Sequence, residues 1–258
     1  MIKAIIFDLD NTLTDFMKMK DMAIEAAVDA MIDAGLKLSR DELKEKIYAV
    51  YKEEGIEYQK VFDRFLQLEL GRIDYKILAS AIVSYRRARD SALVLYPHVI
   101  LTLMELVKRG LKLAVVSDAP STQVWLRLCH LNLHHFFHHV VTFEDTYERK
   151  PSPLPFKKAL SLLRVESADA LMVGDWPERD VVGASQLGIK TVFARYGDTF
   201  GTVHSGADFE INDIIELIDI VDRLNGTVSD GEHDHCSESG SGIEQAPGKG
   251  RDSGGGHR

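Results

Sequence analysis

The stretch Lys3-Ala4-Ile5-Ile6-Phe7-Asp8-Leu9-Asp10-Asn11-Thr12-Leu13-Thr14 decides the fold predicted for this chain. Residues 4–7 are all apolar, as expected of a strand that is buried on both faces of a parallel sheet. Asp8 and Asp10 follow one residue apart, and residues at i and i+2 of a strand point to the same side. Open parallel sheets carry their chemistry at the carboxyl edge, so we expect both carboxylates in one crevice there. Two carboxylates so close repel each other unless a cation lies between them or one is protonated, and oxygen ligands suit Mg²⁺.

After Thr14 the sequence changes from a strand pattern to a helical one. Between about residues 15 and 90 apolar residues recur at helical spacing and proline is absent, which predicts about four helices. Ser39 followed by Glu42 is typical of a capping box that opens the second of them. Strand and helix patterns then alternate, with strands expected at 112–118, 140–142, 170–173, 190–194 and 209–211 and helices at 98–109, 122–131, 156–163, 181–187 and 214–224. Such alternation indicates an α/β fold with a parallel sheet covered on both faces.

The composition limits the function classes that need to be considered. The 258 residues are 45% hydrophobic and 28% charged, which is ordinary for a globular protein. The formal net charge of −9 argues against nucleic acid as the main partner. We expect no membrane span, because no stretch of eighteen apolar residues occurs. We also expect a cytoplasmic location. Cys129 and Cys236 are too few and too far apart for a disulfide framework.

Four motifs together resemble one enzyme family. Asp8-Leu9-Asp10-Asn11-Thr12 is similar to the first motif of the haloacid dehalogenase (HAD) superfamily, most of whose members are Mg²⁺-dependent phosphohydrolases. Ser117, after an apolar strand, matches the second motif, and Lys150 in Glu148-Arg149-Lys150-Pro151-Ser152-Pro153 matches the third. Gly174-Asp175-Trp176-Pro177-Glu178-Arg179-Asp180 matches the fourth. The motifs occur in the family's order, and the resemblance covers about residues 1–226.

The resemblance implies an architecture and a division of the chain. The core would be a Rossmann-like three-layer domain with a parallel sheet, formed by residues 1–14 and 96–225. Residues 15–95 would form an inserted α-helical cap, the lid that closes over the core in this family. From the composition of residues 226–258, which are rich in Gly, Ser, Asp, Glu and His, we expect a disordered tail.

The resemblance also implies a role for each motif residue. Asp8 would be the nucleophile that forms an aspartyl-phosphate, and Asp10 would protonate the leaving alcohol and then activate water. Ser117, Asp118 and Lys150 would bind the phosphate. The implied Mg²⁺ ligands are Asp8, the backbone carbonyl of Asp10, and Asp175, with Asp180 as a supporting residue. Arg149 competes with Lys150 for the role of the cation, since the two residues are adjacent.

The predicted function is hydrolysis of a small phosphorylated metabolite, such as phosphoglycolate, a triose phosphate, a sugar phosphate or a nucleotide. The alternatives are a phosphomutase on the same core and a non-catalytic binding module of the HAD fold. A phosphonate hydrolase would use a cap lysine, for which Lys18 and Lys20 are the candidates. A homodimer is one oligomeric state compatible with the sequence.

Three further clusters allow a functional or a structural interpretation. In the cap, Tyr85, Arg86, Arg87 and Arg89 form a basic group that would meet an anionic leaving group or simply face solvent. The other two clusters are candidates for metal binding. The structural alternative is an incidental polar loop for the first of these and an incidental tail for the second. These two are Cys129, His130, His134, His135, His138 and His139, and His233, His235 and Cys236.

Overall fold

A six-stranded parallel sheet forms the centre of the molecule. The computed structural model describes residues 1–226. Its strands are β1 (Ala4–Phe7), β2 (Lys112–Val116), β3 (His139–Val141), β4 (Ala170–Gly174), β5 (Lys190–Ala194) and β6 (Phe209–Ile211). The strand order is β3-β2-β1-β4-β5-β6, and every pair of neighbours is parallel. The predicted α/β fold is confirmed.

The strands are buried on both faces, and alternate side chains contribute to two different cores. In β1, Ile5 and Phe7 belong to one hydrophobic cluster, while Ala4 and Ile6 belong to the other. The first cluster includes residues of α5 (Val99–Lys108), α6 (Ser121–His130) and α10 (Glu216–Asn225). The second includes residues of α8 (Pro153–Leu163) and α9 (Val182–Ser185). The helices therefore sandwich the sheet and make three layers, because each face of the strands is apolar.

Four helices that lie between β1 and α5 in the sequence form a third hydrophobic cluster. They are α1 (Phe16–Asp33), α2 (Arg40–Glu54), α3 (Val61–Leu70) and α4 (Tyr75–Ala92), and the buried residues between them form a cluster of their own. The predicted capping box is confirmed at the start of α2, where Ser39 and Glu42 bond reciprocally. The two chain segments that join these helices to the sheet region run side by side, since Thr14 pairs antiparallel with Leu95.

Some predicted element boundaries were wrong. The helix expected at 181–187 is a π-helical turn, Pro177–Val181, followed by α9. The strand expected at 140–142 is shifted by one residue to His139–Val141, and α8 begins at Pro153, three residues earlier than expected, because Ser152 caps it. Three short elements complete the description: α7 (Phe143–Thr146) and two 3₁₀ turns, at Ser167–Asp169 and Arg195–Gly197.

Gly226 ends the described part of the chain, where it caps α10. The remainder of the expected tail, with His233, His235 and Cys236, lies outside the described residues. Among residues 1–226, no helix combines the length and the apolar character that a bilayer span requires.

Candidate active site

Three neighbouring strands end at the same edge of the sheet, and a polar residue selected from the sequence follows each. Asp8 directly follows β1, and its N–H donates to Val173 O of β4 at 2.9 Å. Ser117 follows β2, and Asp175 follows β4. Asp10 lies beyond the end of β1, at an isolated bridge with Thr14, so strand alternation is not what places its carboxylate. The structure thus brings the first, second and fourth motifs to one edge because β2, β1 and β4 are adjacent.

Lys150 is buried beside the proposed nucleophile. Its Nζ donates to Asp8 Oδ1 and, at 2.6 Å, to Asp180 Oδ1. Burial lowers the pKa of Lys150, but Asp180 and Asp8 outweigh this effect and raise the pKa above its usual value. Arg149, the competing candidate, is exposed, and its guanidinium lies over the Phe143 ring at 4.3 Å. The cation at this site is therefore Lys150.

The loop after β2 supplies both a hydroxyl and a carboxylate. Ser117 is buried, and its Oγ accepts a hydrogen bond from Ala119 N at 3.2 Å. The Asp118 carboxylate accepts from the Lys150 backbone N–H at 2.9 Å and from Arg179 Nη1 at 3.1 Å. Because a carboxylate repels phosphate, Asp118 would meet a phosphate only through its backbone, and its side chain instead fixes the loop that carries Lys150.

Three buried carboxylates converge next to Lys150. One oxygen from each of Asp8, Asp175 and Asp180 lies within 4.8 Å of the other two. Burial, opposed by Lys150 and reinforced by Asp180, raises the pKa of Asp8 to about 8. Burial also raises the pKa of Asp175 well above its usual value, and Asp8 and Asp180 add to that increase. Three carboxylates facing one ammonium group leave an excess of negative charge, and an oxygen-only donor set with that charge fits Mg²⁺.

The glycine of the fourth motif makes room for this cluster. A Cβ on Gly174 would lie 2.3 Å from Asp180 Cγ, so any larger residue would displace that carboxylate. Asp180 lies in the π-helical turn, and its Oδ2 accepts from Trp176 N at 3.1 Å. The turn therefore folds the second aspartate of the motif back onto the end of β4.

Thr12 and the segment after β5 support the site, and sequence reasoning missed both. Thr12 is fully buried, and its Oγ1 donates to Asp175 Oδ1 at 3.0 Å. The Tyr196 hydroxyl donates to Thr12 O at 2.8 Å. A Cβ on Gly197 would lie 1.7 Å from Asn11 O, so the close packing of these two segments requires glycine. The signal available in the sequence was the position of Thr12 within the first motif.

Asp10 is engaged by a residue that the sequence did not single out. Arg127 Nη1 donates to Asp10 Oδ2 at 2.7 Å, and Nη2 donates to Glu57 Oε1. Arg127 is buried, and burial lowers its pKa, but Asp10 and Glu57 outweigh this effect and raise the pKa. Burial raises the pKa of Asp10 to about 6, against the opposing effect of Arg127. The Asp10 side chain thus lies apart from the three-carboxylate cluster. Asp10 would therefore contribute only its backbone carbonyl to the Mg²⁺ ion, as the resemblance implies.

A cavity of about 320 Å³ lies against Arg127, between helices α1 and α4 on one side and α6 on the other. Lys20 lies in its wall, and burial lowers the Lys20 pKa to about 8, against the opposing effect of Glu57. Lys18 is exposed. Of the basic group in α4, Arg89 and Tyr85 line the cavity, whereas Arg86 and Arg87 are exposed. The polar lining residues are Lys20, Glu57, Gln59, Tyr85, Arg89, Asp90, Gln123, Arg127, Cys129 and His130.

The histidine-rich stretch does not form a comparable cluster. The rings of His134 and His135 are in tilted contact with centroids 3.7 Å apart, and the His138 Nδ1 accepts from Leu113 N at 3.2 Å. Within residues 1–226, the three aspartates described above are the one set of His, Cys, Asp or Glu residues close enough together to hold a metal ion. The interpretation of residues 129–139 as an incidental polar segment is therefore the better one.

Comparison with known proteins identifies the family. The sequence model described as haloacid dehalogenase-like hydrolase matches residues 5–194. The chain belongs to the haloacid dehalogenase-like hydrolases. Its relatives include the glyceraldehyde 3-phosphate phosphatase of Methanocaldococcus jannaschii, 37% identical over 87% of this chain and 99% of the relative. The enzyme of the same name from Methanopyrus kandleri is also 37% identical, again over 87% of this chain and 99% of the relative.

A solved structure supports the same assignment. The HAD phosphatase from Thermococcus onnurineus superposes with a TM-score of 0.64 and is 27% identical, covering 85% of this chain and 98% of that one. The prediction of a HAD-type phosphatase is thereby confirmed at the level of the family and the general activity.

Proposed function

We propose that this HAD-like hydrolase is a Mg²⁺-dependent phosphatase that acts through an aspartyl-phosphate on Asp8. The observation that carries the proposal is the position of Lys150, whose Nζ bonds both Asp8 and Asp180 within a buried group of three carboxylates. An ammonium group beside the proposed nucleophile would neutralise the charge of an incoming phosphate. Phosphoryl transfer depends mainly on such positioning and neutralisation.

In this mechanism each side chain has a separate task. The Asp8 carboxylate that faces Lys150 attacks phosphorus, and Lys150 with the Ser117 hydroxyl holds the phosphate oxygens. Asp10 transfers a proton to the leaving oxygen and later takes one from the attacking water. Asp10 has a pKa raised to about 6 by burial, so it retains a proton more readily than an exposed aspartate would.

Asp8, the backbone carbonyl of Asp10, and Asp175 would hold the Mg²⁺ ion, with Asp180 in support. When bound, the ion would neutralise the excess negative charge of the carboxylates and of the phosphate. Thr12 would orient Asp175 toward it, since its hydroxyl already bonds one oxygen of that carboxylate.

The substrate that we propose is glyceraldehyde 3-phosphate or a similarly small phosphate ester. Support comes from the relatives of that name, which align over 99% of their length. The cavity of about 320 Å³ is lined by Arg127, which bonds Asp10, and it would receive the part of the substrate beyond the phosphate.

The proposal includes a division of labour along the chain and a location. Residues 1–14 and 96–225 would be the catalytic core, and residues 15–95 the cap that encloses the substrate. We place the enzyme in the cytoplasm, with no nucleic-acid or membrane partner, and a homodimer is one arrangement in which it would act.

Phosphate release from a panel of small phosphate esters tests the proposal. Wild type, Asp8→Asn and the surface control Asp169→Asn are assayed with Mg²⁺ and with chelator. We expect Mg²⁺-dependent turnover that falls by at least about 1,000-fold in Asp8→Asn, because the nucleophile is lost, and is kept in Asp169→Asn. No hydrolysis of any ester by the wild type would overturn the phosphatase, and transfer to a second substrate hydroxyl would identify a mutase.

A further inference from the structure

A buried arginine connects the proposed cap with the proposed acid Asp10. Arg127 lies on the buried face of α6, where its neighbours Val124 and Leu128 are apolar core residues. Its two terminal nitrogens bond different carboxylates, Asp10 on the core and Glu57 in the segment between α2 and α3. One guanidinium therefore bridges a residue of the helical insertion and a residue of the first motif.

The segment that carries Glu57 is held in place from two sides. Lys20 Nζ, from α1, donates to Ile56 O at 2.9 Å, directly before Glu57. Gln123 Nε2, from α6, donates to Gln59 Oε1 at 3.3 Å. The position of Glu57 against Arg127 thus depends on how the insertion sits on the core, since Gln123 and Arg127 belong to the core and Lys20 does not.

The bridge occupies one oxygen of Asp10 and leaves the other one free. Oδ2 accepts from Arg127 at 2.7 Å. Oδ1 is buried and has no hydrogen-bonding partner within residues 1–226. A buried polar atom without a partner is costly, and such atoms concentrate where a ligand or substrate completes the bonding. Asp10 therefore has a fixed orientation with one oxygen available for another group.

Stability alone does not account for this arrangement well. Burying a guanidinium between two carboxylates carries a desolvation cost that often equals the gain from their attraction. An apolar residue at position 127 would extend the buried apolar face of α6 without that cost. A role in placing Asp10 explains why charge is present there.

We propose that Glu57 and Arg127 are positioning residues that hold the Asp10 carboxyl with Oδ1 toward the leaving oxygen of the substrate. This inference rests on the proposed phosphatase function. Closure of the cap brings Glu57 to Arg127, and Arg127 then fixes Asp10, so the proton donor is aligned only when the substrate is enclosed. The proton on Asp10 passes to the oxygen of the breaking P–O bond, and the bond's electron pair stays on that oxygen.

The proposal predicts a dependence on the leaving group. A p-nitrophenolate ion leaves without a proton, whereas a phenolate or an alkoxide needs one. Misplacing Asp10 should therefore slow phosphoryl transfer to Asp8 from phenyl and alkyl phosphates while sparing the transfer from p-nitrophenyl phosphate. Phenyl and p-nitrophenyl phosphate differ little in shape, so their comparison separates proton donation from binding.

The test measures kcat and KM for these three kinds of ester with wild type, Glu57→Gln and Arg127→Lys. Lysine keeps the charge but cannot bridge two carboxylates as a guanidinium does. We expect kcat/KM on phenyl and alkyl phosphates to fall by about 10-fold to 100-fold, and kcat/KM on p-nitrophenyl phosphate to stay within about threefold. This ratio reports formation of the aspartyl-phosphate and not its later hydrolysis, in which Asp10 acts on every ester alike. Thermal unfolding of each variant verifies that it is folded, and Glu57→Gln changes the less buried partner.

The chain offers a matched control at the opposite edge of the sheet. Arg109, at the end of α5, bonds Glu105 and Asp222 in a similar carboxylate–arginine–carboxylate bridge. Glu105→Gln and Arg109→Lys should leave the ratio between phenyl and p-nitrophenyl phosphate unchanged. A uniform loss of kcat/KM on all esters in the Glu57 and Arg127 variants, or no loss, would overturn the positioning role. A wild type that hydrolyses none of the esters would instead overturn the proposed function.

Discussion

At the scale of single residues, Thr12 shows how a small side chain supports the carboxylate cluster. Its hydroxyl bonds Asp175 Oδ1 and its backbone oxygen accepts from Tyr196, so it holds one carboxylate from within the first motif. Valine has nearly the same shape and lacks the hydroxyl. In Thr12→Val we expect the apparent affinity for Mg²⁺ to fall by about 10-fold, as is typical when a bond to a metal-binding carboxylate is lost. A Mg²⁺ titration of phosphate release measures this change.

The control for this substitution is Thr102→Val. Thr102 is fully buried on α5, and its hydroxyl has no partner among residues 1–226. Its replacement should leave the Mg²⁺ titration curve unchanged. Coincident titration curves for wild type and Thr12→Val would show that the bond to Asp175 does not tune the proposed Mg²⁺ site.

Arg127 illustrates which part of the site sequence reasoning could find. The four motifs are recognisable because each contains its chemistry within a few neighbouring residues. Arg127 has no such local context, since its partners Asp10 and Glu57 are 117 and 70 residues away in sequence. The only local signal is a charged residue on the apolar face of α6, beside Val124 and Leu128. A charge in such a position indicates a buried partner but does not identify it.

At the scale of elements, apolar strands and amphipathic helices were predictable, and the turns that shape the site were not. The strand before Asp8 is a short apolar run, and burial on both faces explains that pattern. The π-helical turn Pro177–Val181 was expected to be loop followed by helix. Asp180 makes a tertiary contact with Lys150 and a local bond with Trp176 N, and no periodicity in the sequence records either contact. Pro177, at the first position of this turn, is compatible with the start of an α-helix as well as with that of a π-helical turn.

Helix α1 places a lysine where its charge is unfavourable, and this gives a pH-dependent prediction. Lys20 lies 4.1 Å from the Tyr51 ring centroid and donates to Ile56 O. Burial lowers its pKa from 10.5 to about 8. Between these two pH values the unfolded chain binds more protons than the folded one, so the free energy of unfolding rises with pH. Below about pH 8 Lys20 is charged in both the folded and the unfolded chain, so the full cost of burying its charge is subtracted from the free energy of unfolding.

The variant Lys20→Met should lack this rise. We expect the free energy of unfolding of the wild type, relative to that of Lys20→Met, to increase by about 2 kcal/mol between pH 7.5 and 9.5. Urea unfolding at the two pH values measures it. Lys18→Met, which replaces an exposed lysine of the same helix, should change in parallel with the wild type. Parallel behaviour of Lys20→Met would mean that Lys20 keeps an ordinary pKa.

At the scale of the whole molecule, the helices α1–α4 and the sheet region have separate hydrophobic clusters. The chain passes between them twice, at the paired segments around Thr14 and Leu95. The proposed substrate cavity is lined from both sides, and Lys20 and Arg127 in its wall are buried. We therefore expect a substrate to enter when the proposed cap moves away from the sheet region.

A cleavable cross-link between cap and core tests that requirement. Gln59 and Gln123, whose side-chain amides lie 3.3 Å apart, are replaced by cysteine in a background with Cys129→Ser and Cys236→Ser. Joining the two cysteines with a disulfide-containing bismaleimide should lower the turnover of phosphate esters by at least about 10-fold, because lid opening commonly gates turnover. Reduction of the linker should restore the rate.

Each single-cysteine variant treated with the same reagent controls for simple blocking of the cavity, because it carries the added group without the tether. If only the double variant loses activity reversibly, the loss comes from restricting the cap and not from occupying its surface. Full turnover in a completely cross-linked sample would show that substrates reach Asp8 without cap movement. In that case enclosure by residues 15–95 would be a fixed feature of the fold, and the alignment of Asp10 through Glu57 would be permanent instead of coupled to closure.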